Sequence, residues 1–251
     1  MKARIFSLAT SVASTLVLAA CTAPSGYGLA SDRASAAVPE EVPINTKSTY
    51  VNLIQQMQQK GLWFASLAHI DAFEQQSGVS PETLLMRGDA LRQIGQHDES
   101  AAVYRKLMGT PVEAAGYRGL GLIAGARGDF LQSTQMLEQA QRRNPTDAIV
   151  LSDLAYAYMR AGRVAQARVP VMQASQLQPG LAKVQGNLAL FLLVDGQRSQ
   201  AEAMMDGAKM PASLREAIER EAQLVQPGHA VVADSAGVPL RLKASQWPFS
   251  N

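Results

Sequence analysis

Residues 114–147 read AAGYRGLGLIAGARGDFLQSTQMLEQAQRRNPTD, and this stretch decides the fold. Tyr117, Leu120, Gly121 and Ala124 recur at helical spacing, so they line one face of a helix. Gly128-Asp129-Phe130 reads as a turn. Ser133, Leu137 and Ala140 line a second helix, and Asn144-Pro145 ends it, because proline lacks an amide proton and disfavours helix at the residue before it. The small residue at Gly121 lets the two helices approach, while Tyr117 and Leu120 fill the space around it. The expected unit is therefore an antiparallel helix pair.

Working outward, the turn glycine recurs. Gly61, Gly95, Gly128, Gly162 and Gly196 are separated by 34, 33, 34 and 34 residues. The following unit, from Ala148, repeats the pattern with Leu151, Leu154, Ala155 and Tyr158, then Gly162-Arg163-Val164, then Ala167, Val171 and Ala174, closing at Pro179. Pro170 falls inside its second helix, where a kink or a local break is expected. A unit from Ala182 carries Leu188, Ala189, Leu192, Ala201, Met205 and Ala208 and ends at Pro211. Weaker units precede the central one. One starts at Pro81, with Ser80 as cap and Glu82 in the first turn, and another starts near Lys47. The competing reading is an irregular helical bundle.

The pattern resembles the tetratricopeptide repeat, two antiparallel helices per unit. The resemblance implies an all-α solenoid of about five helix pairs over residues 47–215. One more helix over 212–224, with Leu214, Ala217, Ile218 and Glu221 in a single less polar stripe, is expected to cap the open end. Pro227-Gly228 stops it. The tail over 225–251 contains Val231, Val232, Leu240, Leu242 and Trp247-Pro248-Phe249. It is read as packed on its own domain, as extended towards a partner, or as disordered.

The N-terminus assigns the address. Met1–Arg4 is basic, Ile5–Leu18 is mostly small or apolar, and Leu18-Ala19-Ala20-Cys21 follows. This segment is too short to span a bilayer and reads as an export signal over 1–20. The stretch is similar to a bacterial lipoprotein signal and lipobox. That resemblance implies a mature chain beginning at Cys21 and lipidated there. The alternative is an ordinary cleaved leader followed by a chance cysteine. Cys21 is the only cysteine, so an intrachain disulfide is excluded. Two or three acyl chains, at roughly 0.8 kcal/mol per buried methylene, anchor firmly. Thr22 stands where Asp would favour inner-membrane retention in enterobacterial lipoproteins. The resemblance therefore implies the periplasmic face of the outer membrane. Residues 21–46, rich in Ala, Ser, Gly and Pro, read as a flexible tether.

Charge and motifs narrow the function. The precursor has 23 basic and 21 acidic side chains, and losing Lys2 and Arg4 leaves 21 of each. With no basic run, nucleic-acid binding is disfavoured. The histidines His69, His97 and His229 have no neighbouring cysteine or ligand pair at helical spacing, so no metal is expected. Gly119-Leu120-Gly121 lies inside a helix and lacks a phosphate-loop context. Motifs of serine hydrolases and zinc proteases are missing. The reading is a binding protein, not an enzyme, with no cofactor.

In the tetratricopeptide family, groove positions sit between the packing positions of each first helix. Carried over, they are Leu85, Asp89 and Arg92 in the second unit, and Arg118, Leu122 and Gly125 in the third. The fourth presents Ser152, Tyr156, Met159 and Arg160, and the fifth Lys183, Leu190, Leu193 and Val194. The surface is mixed, and its apolar stretch suits an amphipathic helix or an extended peptide. The bland reading makes Tyr156 and Leu190 mere packing residues.

Lipobox, linker and repeats together look like the TadD-like lipoproteins of tight-adherence (Flp) pilus systems. The segments around Leu120-Gly121, Leu154-Ala155-Tyr156-Ala157-Tyr158 and Leu188-Ala189 carry the resemblance. It implies a pilotin-like role, in which the lipid localises the domain and the groove helps an outer-membrane secretin localise or assemble. Alternatives are a type IV pilus or secretion-system pilotin, an accessory of outer-membrane β-barrel assembly, and, more remotely, a cell-wall enzyme accessory.

Overall fold

The structure is a computed structural model that describes residues 46–225. The leader, Cys21, the linker up to residue 45 and the tail from residue 226 lie outside the described residues. Within them the chain is helical throughout. Five pairs run in order: α1 (Thr46–Gln59) with α2 (Trp63–Ser77), α3 (Pro81–Gln93) with α4 (His97–Arg105), α5 (Glu113–Ala126) with α6 (Phe130–Arg143), α7 (Ala148–Arg160) with α8 (Val164–Leu177), and α9 (Ala182–Val194) with α10 (Arg198–Gly207). A final helix, α11, spans Ala212–Val225. No described helix is long and apolar enough to cross a membrane.

The glycine ladder has a direct backbone cause. Each of the five glycines ends the bend between the helices of one pair with φ between +71° and +82°. A side chain there would meet the left-handed penalty, so glycine is the residue that fits. The starts of α3, α6 and α7 are capped by short polar side chains. Ser80 and Thr83 form a reciprocal box at α3, with Ser80 Oγ accepting from Thr83 N at 3.2 Å and Thr83 Oγ1 from Ser80 N at 3.1 Å. Asp129 accepts from Gln132 N at α6, and Asp147 from Ile149 N and Val150 N at α7. Each cap of this kind contributes about 1 kcal/mol.

The expected break at Pro170 is not found. α8 continues from Val164 to Leu177, with Pro170 buried beside Ala167, Val171 and Ala174. Proline removes one hydrogen bond to the carbonyl four residues earlier. Burial of this face against α7 and α9 holds the helix together across the gap.

Odd-numbered helices pack on one another from repeat to repeat: α1 on α3, α3 on α5, α5 on α7, α7 on α9. Each also packs on its own pair partner. This closer spacing of the odd-numbered row makes it the inner, concave side of the stack. The core is a set of neighbouring clusters rather than one central one, as a solenoid requires.

One device recurs inside the pairs. Ser100 Oγ donates to the Gly88 carbonyl at 2.7 Å, and Ser133 Oγ to the Gly121 carbonyl at 2.8 Å. In each case the second helix bonds the first where a glycine brings the backbones close. A Cβ added at Gly121 would stand 2.7 Å from Leu137 Cγ and 3.3 Å from the Ser133 carbonyl oxygen. Gly121→Leu is therefore expected to cost about 1–3 kcal/mol by overpacking. Differential scanning calorimetry reads this as a lower Tm, and an unchanged melt would refute the close approach.

Candidate functional site

The inner row carries a polar stripe that crosses the repeats. Its centre is Asp153 on α7, whose side chain is 1% exposed. Arg118 Nε on α5 donates to Asp153 Oδ2 at 2.7 Å, and Lys183 Nζ on α9 lies 2.5 Å from Oδ1. One carboxylate thus ties three consecutive inner helices. Burial raises the Asp153 carboxyl, but Lys183 and Arg118 outweigh that and hold it below the usual carboxylate range. Burial lowers the Lys183 ammonium, with Asp153 opposing and Arg118 adding to the lowering. Beside this triad, Asn187 Nδ2 donates to Ser152 Oγ at 2.8 Å and to the Ser152 carbonyl at 3.0 Å, again joining α9 to α7.

The stripe continues toward the N-terminus. Tyr104, wholly buried on α4, reaches between α3 and α5 and donates its hydroxyl to Asp89 Oδ1 at 2.6 Å. Arg92 Nε donates to the same hydroxyl at 3.3 Å. The ring lies over two glycines. A Cβ at Gly88 would come within 2.7 Å of it and one at Gly119 within 2.3 Å. Burial and Asp89 push the Tyr104 hydroxyl pKa up, so it is a neutral donor across the physiological range.

Toward the C-terminus the inner face is covered. α11 packs on α9 and reaches across to α7. Its Glu221 accepts from Tyr156 Oη at 2.6 Å and from Arg160 Nη1 at 2.6 Å. The Arg160 guanidinium sits 4.4 Å above the Phe130 ring. Burial and Glu221 push the Tyr156 hydroxyl pKa up.

These positions correct the expected binding surface. Arg118 and Leu122 remain partly exposed on the inner face, as do Leu85, Asp89 and Arg92, while Gly125 is buried. Ser152, Met159 and Leu190 are sealed, and Tyr156, Leu193 and Lys183 are no more than 9% exposed. Arg160 and Val194 are partly exposed, to the same degree as the stretch at repeats two and three. Two causes act. Asn187 and Asp153 link Ser152 and Lys183 within the stack, and α11 lies on Tyr156, Leu190 and Leu193, which share a cluster with Ile218, Ala222 and Val225. Substituting Tyr156 and Leu190 would thus perturb the core as well as any groove. Sequence reading missed Asp153 and Asn187 as links. An acid inside the otherwise apolar run AIVLSDLAYAYM of α7 was the available signal. His69 and His97 are not brought together. Tyr50 Oη and His69 Nδ1 share a 2.8 Å hydrogen bond, and His97 begins α4. No group of metal-ligating side chains gathers among the described residues.

Residues 118–182 match the family described as tetratricopeptide repeat. This is a tetratricopeptide-repeat fold. The chain is 27% identical over 202 residues to the TPR repeat-containing protein PA4299 of Pseudomonas aeruginosa, covering 78% of this chain and 80% of that relative. Among solved structures, TTC0263, a thermophilic tetratricopeptide-repeat protein of Thermus thermophilus, matches with a TM-score of 0.58 at 20% identity, over 71% of this chain and 98% of the other. MamA from residue 41 to its end, from Desulfovibrio magneticus RS-1, matches with a TM-score of 0.51 at 18% identity, over 70% and 97%. The structural likenesses establish the tetratricopeptide architecture, with its helix pairs and their stacking.

Proposed function

We propose that this chain is a lipid-anchored scaffold on the periplasmic face of the outer membrane, where its repeats bind another polypeptide. The carrying observation is the order of two features: Leu18-Ala19-Ala20-Cys21 after a basic and apolar leader, then a tetratricopeptide-repeat solenoid that begins at residue 46. Repeat solenoids are built to present extended inner surfaces to protein partners. Here the inner face offers a partly exposed stretch at repeats two and three, formed by Leu85, Asp89, Arg92, Arg118 and Leu122. Acylation raises the effective concentration of the scaffold against a membrane-bound client without any added contact.

The client we propose is the outer-membrane secretin of a tight-adherence pilus system, which the scaffold helps to localise or assemble in the manner of a pilotin. Support for this finer reading is the combination of lipobox, linker and repeats already described. No covalent chemistry is required of the chain. Cys21→Ser is expected to abolish acylation and shift the protein from the membrane to the soluble fraction, leaving the melting curve of the repeat domain unchanged. Mass spectrometry of the wild-type N-terminal peptide reads the acyl groups directly, and an unmodified Cys21 would sink the anchor. Crosslinking in native membranes is expected to recover a secretin. Recovery of a β-barrel insertase instead would redirect the assignment.

A further inference from the structure

α11 does more than close the end of the stack. Leu214, Ile218, Ala222 and Val225 follow one another at steps of four, four and three, a continuous apolar stripe at helical spacing. That stripe lies in the same cluster as Tyr156, Leu190 and Leu193, the apolar part of the inner face. A terminal cap needs only to shield apolar surface. This one also drives a carboxylate, Glu221, into the contact, where the residue is 7% exposed. Burying a carboxylate is costly unless a cation and hydrogen bonds meet it. Arg160 and Tyr156 do so from α7, more than sixty residues away in sequence. The inner face of repeats four and five therefore has the makings of a receptor: an apolar bed with one cation and one hydroxyl set to take an acid.

The attachment of α11 is also light at its edges. Arg198 pairs with Glu219 at 2.8 Å and Arg215 pairs with Asp206, all at exposed or half-exposed positions. Exposed pairs contribute little to holding a helix in place. The short link before it, Ala208–Pro211, holds Lys209 at φ +51°, a left-handed conformation that disfavours a side-chain-bearing residue. Beyond α11 the inner face continues into the partly exposed stretch at Arg118 and Leu122.

We propose that α11 is an exchangeable occupant of this receptor. In the free protein it fills the inner face of repeats four and five. A partner enters by presenting an amphipathic helix of the same chemistry: four apolar anchors at those steps, with a carboxylate immediately before the third. The inference deepens the scaffold reading, since it rests on the inner face being the binding surface. It also names the class of helix that binds and the segment that must leave.

The test uses the full chain. In wild type, hydrogen exchange with mass spectrometry is expected to show the amides of 212–225 opening at least tenfold faster than those of α7 and α9. Glu221→Lys sets a cation against Arg160 and is expected to release α11 further while α7 and α9 keep their protection. A fluorescent synthetic peptide of the sequence Ala212–Val225 should then bind the full-length Glu221→Lys protein at least tenfold more tightly than wild type. The same peptide with lysine in place of the glutamate that corresponds to Glu221 should not bind. Should Glu221→Lys lose its global structure, the double variant Arg198→Ala with Asp206→Ala removes the ion pairs to Glu219 and Arg215, keeps the Arg215 bonds to the Met205 and Met210 carbonyls, and carries the same comparison. Exchange of α11 no faster than that of α7 and α9 in wild type, or equal peptide affinity for wild type and the variant that keeps its fold, overturns the proposal. Neither readout involves a secretin or a membrane, so its failure leaves the partner assignment to be judged on its own crosslinking result.

Discussion

Asp153→Ala lowers the stability of the repeat domain by about 3–5 kcal/mol, the range expected when one member of a buried ion pair is removed and its partners stay. The reason lies in what remains. Lys183 is 9% exposed, and with Asp153 gone it and Arg118 become neighbouring cations on an apolar bed. Asp153→Asn keeps the shape and one acceptor, while its amide NH2 faces the other donor, so it is expected to lose less than alanine but not to match wild type. Urea unfolding followed by circular dichroism measures both, and a loss under about 1 kcal/mol for the alanine variant would refute the triad as a structural link. The acid limb gives a second readout. The folded Asp153 pKa lies below its unfolded value of roughly 4. Its contribution is therefore fully present above that pH and fades as the pH falls toward the folded value. As the pH falls below about 4, the alanine variant should lose less stability than wild type.

Tyr104→Ala is the second large change, at about 3–5 kcal/mol for a fully buried aromatic truncated to alanine. The loss combines an unfilled space between α3, α4 and α5 with two groups, Asp89 and Arg92, that lose their shared hydroxyl. A cycle with Gly119 separates packing from hydrogen bonding. Gly119→Ala alone places a Cβ 2.3 Å from the ring, and overpacking there costs about 1–3 kcal/mol. In the Tyr104→Ala background the ring is gone, so the same substitution should cost little or stabilise. Additive effects in the two backgrounds would show that the ring and Gly119 do not meet.

The contrast between these two residues shows where sequence reading worked. The turn glycines and the small residue at Gly121 were legible because their cause is local. A bend of fixed handedness demands glycine, and two helices joined by a short turn must touch within one repeat. The stop at Pro145, the cap at Ser80 and the extent of α11 were legible for the same reason, since each depends on a few neighbouring residues. Of the kink or local break expected at Pro170, the break is not found, because the burial that outweighs the local penalty comes from α7 and α9. That the expected groove at repeats four and five is covered by α11 was not legible for a related cause. Groove positions were assigned from phase along each helix, which says which side a residue faces but not whether another segment lies on that side.

Sequence alone determined the periodic helix pairs, their bends and the existence of a terminal helix, because these follow from spacing, backbone conformation and nearest neighbours. Only the tertiary structure decided that Asp153 ties three inner helices together and that Glu221 carries α11 onto Tyr156 and Arg160. Those contacts join residues up to 65 positions apart. At such separations the outcome depends on the angle at which the last helix leaves the stack, and no short-range pattern encodes that angle.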